Sequence, residues 1–357
     1  MKINFLIPTT GLTGGIKVIF EHANRLARKG HQIHLIYPYV LCKDANFKGK
    51  ILGAIKKIRR FLLRLIKKDK VKWFTLDSQI NLIRVWNLAE KNIPDADITV
   101  ATANETADWL IDYFKTKGEK IYFIQDYEIW TRDTKKVEAT YEAPLKKIVI
   151  SSWLKNLLEN KFNQRVLGIV PDGVDAEMFI NREKIFNKNK KILMQYHILE
   201  KKGFFDGLKA YQIAKQKHPE IELILFGAYK PPKSLLKIAK FYYQPNKSKL
   251  KELYALADIF LWPSRLEGFG IPPMEAMANK CAVICTDTGA VRDYADENSA
   301  IILPVQKLDL MAEKLIELIE NEGKIKNLTK IAFEKVKNFN WQSSTKLLEE
   351  ILFNISK

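Results

Sequence analysis

The feature that most constrains this chain is an alternation that recurs from one end to the other: short apolar runs separated by longer stretches of helical periodicity. Residues 3–7, 32–37, 98–101, 121–125, 147–150 and 166–170 read as strands. Residues 15–29 read as a helix, with Ile16, Ile19, Phe20, Ala23, Leu26 and Ala27 on one face and Gly30 to end it. Further helices are expected over 106–117 and 153–161. Strands joined by helices are βαβ units, and such units require a parallel sheet.

The pattern pauses at Pro171-Asp172-Gly173-Val174-Asp175 and the polar run behind it, then restarts. Strands are expected at 192–196, 222–226, 259–262, 282–285 and 300–303, and helices at 204–216, 248–257, 272–278 and 308–321. The expectation is α/β with two Rossmann-like domains: residues 1–171, a linker at 172–189, a second domain at 190–338, and a last helix at 339–357 that returns to the first domain. With 357 residues, 47% of them apolar, each half has material for its own core. Open parallel sheets bind ligands beyond the carboxyl ends of their strands.

Three cysteines, Cys42, Cys281 and Cys285, make no disulfide framework, and no Cys/His cluster suggests a metal. The opening run from Met1 to Pro8 is too short for a signal peptide, and no apolar run approaches the roughly 18 to 20 residues of a membrane span. A cytoplasmic chain is the expectation.

The segment richest in chemistry is Pro263-Ser264-Arg265-Leu266-Glu267-Gly268-Phe269-Gly270-Ile271-Pro272-Pro273-Met274-Glu275-Ala276-Met277-Ala278, between an expected strand and an expected helix. Gly268 and Gly270 permit close approach of backbone to a ligand, and Pro272 and Pro273 suit a first helical turn. The amides and dipole of that helix start would favour an anion. Glu267 and Glu275 can accept hydrogen bonds from sugar hydroxyls. The plainer alternative is a capped helix start with two solvated glutamates.

With seven residues between Glu267 and Glu275, this stretch resembles the E-x7-E signature of glycosyltransferase family 4, a retaining family with the GT-B fold. Other pieces fall in the same order: Gly14-Gly15, Ser151-Ser152-Trp153-Leu154, Val170 through Asp175, Lys202-Gly203-Phe204 and Asp287-Thr288-Gly289-Ala290. The resemblance implies that Glu275 holds the nucleotide ribose and that Glu267 meets the donor sugar. It assigns Lys202, with the amides of Gly268, Phe269 and Gly270, to the diphosphate, and Gly14 and Gly15 to a loop over the phosphates. It implies no enzyme nucleophile, because the departing phosphate assists the acceptor. The sequence departs from the family where His197 takes the place of an arginine, as a substrate-binding donor to a phosphate, and where Gln125-Asp126 stands for a His-Asp pair, so that the resemblance makes Glu267, Gln125 and Asp126 the catalytic candidates. The run Gln125-Asp126-Tyr127-Glu128 resembles a branch with rhamnosyltransferases of cell-surface polysaccharides. The expected partners are a nucleotide-diphosphate sugar and a saccharide or lipid-linked acceptor, with no cofactor and no metal. Rival readings are a nucleotide-sugar epimerase and a non-catalytic nucleotide or polyanion binding module. A dinucleotide oxidoreductase is disfavoured, because Gly11-Leu12-Thr13-Gly14-Gly15 is not G-x-G-x-x-G.

The net charge of +18 speaks to partners. It concentrates at residues 48–73, where helical spacing puts Ile51, Ile55, Ile58, Leu62, Leu65 and Ile66 on one face and Lys56, Lys57, Arg60, Arg64, Lys67 and Lys68 on the other. This is the pattern of a helix lying on an anionic membrane, here the inner face of the plasma membrane, or of a helix packed on its own domain with a solvated face. A nucleic-acid role is disfavoured, since the aromatics are not interleaved as stacking platforms. The membrane reading predicts that the protein pellets with anionic vesicles at low salt and is released as the Debye length shrinks from about 10 Å to about 3 Å. Changing the six named basic residues to Gln should abolish pelleting; equal pelleting of the substituted protein would remove this segment as the anchor.

Overall fold

The computed structural model describes residues 1–43, 71–180 and 182–356. The basic segment around Lys56, Lys57, Arg60, Arg64, Lys67 and Lys68 lies outside the described residues. The chain divides into two units: Met1–Pro171 with Trp341–Lys357, and Asp172–Asn340. The stretch read as a linker belongs to the second unit, where Val174 bridges to Asn340 and Met178 is buried.

The first unit holds seven strands: β1 (Lys2–Leu6), β2 (Gln32–Pro38), β3 (Asn81–Val85), β4 (Ile98–Ala101), β5 (Glu119–Ile124), β6 (Lys146–Val149) and β7 (Val166–Ile169). They form one sheet, in the order β3-β2-β1-β4-β5-β6-β7, with every neighbour parallel. The second unit repeats the plan with β8 (Lys191–Gln195), β9 (Glu222–Gly227), β10 (Lys240–Tyr243), β11 (Ile259–Trp262), β12 (Ala282–Thr286) and β13 (Ile301–Leu303). Its order is β10-β9-β8-β11-β12-β13, again parallel throughout. In both sheets the direction of winding reverses beside the first strand, between β1 and β4 and between β8 and β11. A crevice opens at such a switch point because the two flanking crossovers leave in opposite directions.

Burial explains why the central strands were legible. Ile192, Met194, Leu223, Leu225, Ile259, Leu261, Ala282 and Ile284 share the second unit's core with Ala210, Tyr211 and Ala214 of the helix Phe204–Lys217. The alternate residues Leu193, Ile224, Phe260 and Val283 are buried as well. Helices cover both faces, so these strands are continuously apolar. The edge strands β3 and β10 are half exposed and mix Asn, Arg, Lys and Tyr with their apolar residues, so they carry no such run. The helix expected over 106–117 stops early, as Asn104–Leu110, because the Phe114 amide turns to the Glu90 carboxylate at 3.0 Å.

The helix Gly14–Arg28 starts under a Thr13 cap, whose hydroxyl accepts from the Ile16 amide at 3.3 Å, and ends at Gly30 with φ +89°. The last helix, Trp341–Ser356, groups with this unit. His31 Nε2 lies 2.8 Å from Glu349. His22 Nδ1 lies 2.9 Å from Thr345 Oγ1, and its ring meets Trp341 edge-on at 5.6 Å. No described helix is long and apolar enough to cross a membrane.

His22 is completely buried, and loss of hydration, helped by the Arg25 charge, lowers its pKa from 6.5 to about 3. The unfolded chain binds this proton below about 6.5 while the folded chain refuses it. The stabilisation is therefore complete above pH 6.5 and is lost as pH falls toward 3, with a limiting slope of about 1.4 kcal/mol per pH unit. Urea unfolding of wild type and His22→Asn at pH 7, 6 and 5 should give a shallower pH dependence for the variant; parallel curves would show that His22 does not titrate on unfolding.

Candidate active site

The second unit brings its chemistry-bearing residues together at its switch point. β8 leads through Tyr196 and His197 into a tight turn at Glu200–Lys202, and Gly203 then starts the helix Phe204–Lys217. β11 leads through Pro263–Gly270 into the helix Ile271–Ala278. Two crossing amides zip the loops together, because the Arg265 and Leu266 N–H groups both reach the Lys201 carbonyl, at 2.7 and 3.3 Å. The Arg265 guanidinium grips both oxygens of Asp206 at 2.9 and 3.0 Å and one of Glu200 at 2.7 Å. Gly203 makes the close approach possible. Its φ is +60°, and a Cβ there would lie 1.9 Å from the Pro263 carbonyl oxygen.

Lys202 and Glu267 meet across these loops. The ammonium donates to both carboxylate oxygens at 2.7 Å, and Ser264 Oγ lies 2.6 Å from one of them. The Glu267 side chain is 9% exposed and that of Lys202 23%, so the pair sits at the boundary of burial and solvent. Gly289, at φ +63°, backs the carboxylate: a Cβ there would come within 2.8 Å of Glu267 Cβ. Gly268 and Phe269 are buried beneath the same loop, and the Phe269 carbonyl accepts from the Ala290 amide at 3.1 Å. Glu275 is buried on the helix behind the loop, where the Tyr254 phenol donates to its carboxylate at 3.2 Å. Burial and the Glu275 charge hold that phenol protonated, far above its usual range.

His197 stands at the end of β8. Burial, then the Lys202 charge, lowers its pKa to about 4, so the ring is neutral at neutral pH. The Leu199 amide donates to Nδ1 at 3.0 Å, which places the ring proton on Nε2 as a donor. Tyr229 packs edge-on against the ring at 5.0 Å.

The helix beginning at Ile271 offers less to an anion than its position suggests. A helix start exposes four amides, but here Pro272 and Pro273 fill two of those places and carry no N–H. What the start retains is the dipole and the loop amides up to Ile271. Positive charge at this end of the sheet comes from side chains: Lys202, paired with Glu267, and Arg265, paired with Asp206 and Glu200.

In the first unit, Gln125 and Asp126 follow β5. Gln125 Nε2 donates to the Thr102 carbonyl at 3.2 Å, while its buried Oε1 has no partner among the described residues. Asp126 accepts from the Tyr127 amide at 2.9 Å. Gly15 lies against Gln125, 3.3 Å from Oε1 to where a Cβ would stand, so this glycine makes room for the carboxamide. Gly14 faces open space. Glu128, two residues beyond Asp126, accepts from the backbone and side chain of Asn104 at 2.7 and 3.0 Å, and burial raises its pKa to about 7. Ser264, Tyr254 and Arg265 were not assigned roles from sequence. Ser264 adjoins the signature and was within reach, but nothing local marks Tyr254 as a partner of a residue 21 positions away.

Residues 175–335 match the family model described as Glycosyl transferases group 1. The chain is 24% identical to the uncharacterized glycosyltransferase YqgM of Bacillus subtilis, over 53% of this chain and 55% of that one. It is 26% identical to the capsular polysaccharide biosynthesis glycosyltransferase CapM of Staphylococcus aureus, over half of each. The chain thus spans about half the length of these curated relatives. Among solved structures, Anabaena Alr3699/HepE in complex with UDP aligns over 99% of this chain and 100% of its own, with TM-score 0.74 and 14% identity. That likeness establishes the fold as GT-B.

Gly203→Ala tests the loop architecture. The substitution imposes a disfavoured backbone and drives a methyl into Pro263, which should cost at least about 1 to 3 kcal/mol in urea unfolding. Stability equal to wild type would show that the two loops are not pinned here.

Proposed function

We propose that this chain is a retaining glycosyltransferase that moves a sugar from a nucleoside diphosphate sugar to a saccharide or lipid-linked saccharide in cell-surface polysaccharide synthesis. One observation carries the reading: His197 and Lys202 from one loop, and Glu267 and Glu275 from a segment 65 positions further on, come to the switch point of the unit that matches the group 1 glycosyl transferases. CapM, whose name assigns it to capsular polysaccharide synthesis, and the HepE complex with UDP support the same substrate class.

In this reading the leaving group is a nucleoside diphosphate, and the protein's main contribution is to stabilise charge as it departs. Lys202 takes the phosphates, with His197 Nε2–H as a second, neutral donor. Glu275, held by Tyr254, accepts from the ribose hydroxyls. Glu267 exchanges its ammonium partner for hydroxyls of the donor sugar. Gln125 and Asp126 serve the acceptor in the first unit, and the resemblance of the Q-D-Y-E run to a branch with rhamnosyltransferases points to rhamnose as the transferred sugar. No metal enters this reading, because the ammonium and loop amides neutralise the diphosphate. The basic segment at 48–73 fits a lipid-linked acceptor at the cytoplasmic membrane face.

Glu275→Ala should weaken binding of the preferred diphosphate among UDP, GDP and dTDP by about 1.5 to 3 kcal/mol in calorimetry, the worth of one charged hydrogen bond. Glu267→Ala should abolish turnover while keeping that affinity. Unchanged affinity in Glu275→Ala would remove its ribose assignment.

A further inference from the structure

Trp262, the last residue of β11, carries a buried donor with nothing to donate to. The residue is 4% exposed, and its Nε1 has no hydrogen-bond partner among the described residues. An indole N–H can only donate, and a buried donor left unpaired is costly, so one that persists calls for an explanation. Its surroundings suggest the explanation. The Lys202 ammonium lies 5.9 Å from the centroid of the indole. On the nitrogen side stands Gly270, the helix cap at φ +97°, where a Cβ would come within 4.0 Å of Nε1. Phe260 stacks on the ring at 5.9 Å and 23° and fixes its plane. The indole thus carries the Lys202 ammonium over its face and the Gly270 start of the helix at its nitrogen edge, at the switch point of the sheet.

We propose that Trp262 is a ligand-binding residue whose indole N–H donates to an oxygen of the leaving diphosphate. This rests on the reading of the site as a nucleoside diphosphate site. With the ammonium over the ring face and the N–H at its edge, a diphosphate can engage both through different oxygens. The Lys202 ammonium donates to Glu267. A diphosphate that takes the ammonium away from Glu267 can reach past the ring face with one oxygen to the nitrogen edge, where the in-plane N–H gains its partner. Gly270, held at φ +97°, keeps the nitrogen edge of the ring free of a side chain on that side.

The test uses UDP with the full-length protein, and GDP and dTDP in parallel. Trp262→Phe keeps an aromatic ring against Phe260 and removes the N–H. Its affinity for the preferred diphosphate should fall about ten- to a hundredfold, the range for a hydrogen bond to a charged group. Benzothienylalanine introduced at position 262 keeps the two-ring shape and exchanges N–H for sulfur. It should lose the same affinity while the melting temperature of the ligand-free protein stays equal or rises, because an unpaired donor has been removed. A purely structural role would give the reverse: a lower melting temperature and unchanged affinity. Undiminished affinity in the benzothienylalanine protein overturns the proposal while leaving the nucleotide site intact. Wild type that binds none of the three diphosphates overturns both.

Discussion

Parallel strand order is the constraint on which the rest of this structure depends. A parallel sheet needs a crossover after each strand, and the crossovers cover both faces, so side chains for chemistry have room only at the strand ends. With the orders β3-β2-β1-β4-β5-β6-β7 and β10-β9-β8-β11-β12-β13, the winding reverses beside the first strand of each sheet. In the second unit that geometry joins the segment after β8 to the segment after β11. Residues 65 positions apart become an ion pair as a consequence of topology.

The Lys202–Glu267 pair shows how such a site balances its charges. A half-buried ammonium and a buried carboxylate each pay for lost hydration, and pairing them offsets that cost. The loop is built to keep them facing each other: Arg265 ties it to Asp206, Ser264 supports the carboxylate, and Gly203 and Gly289 remove the side chains that would keep the backbones apart. On the proposed function, a diphosphate sugar would offer each partner a replacement, phosphate for Lys202 and hydroxyls for Glu267. Binding of that kind would exchange one set of charged contacts for another and leave neither charge bare.

Much of this was legible in the sequence, for reasons that follow burial. Strands covered on both faces appear as unbroken apolar runs, and those at 98–101 and 259–262 agree with β4 and β11 at both ends. The edge strands β3 and β10 lack such runs. The helix Glu322–Val336 was readable and overlooked: Asn321 caps it, and Ile325, Leu328, Thr329, Ala332 and Val336 lie on one helical face. At the site, the two glutamates, Lys202 and His197 were visible as residue types in order. The pairing of Lys202 with Glu267, the depressed His197 and the unpaired Trp262 N–H were not, because each depends on what lies nearby in space. The helix start was over-read as an anion site, although its two prolines, plain in the sequence, remove half of its free amides.

Amide hydrogen exchange on the intact protein, with and without UDP, GDP or dTDP, tests the central claim most directly. The account predicts that at least one diphosphate slows exchange in the segments around residues 197–204 and 262–276, which meet only at the switch point of the second sheet. Protection confined to residues 1–171, or none with any of the three, would contradict it.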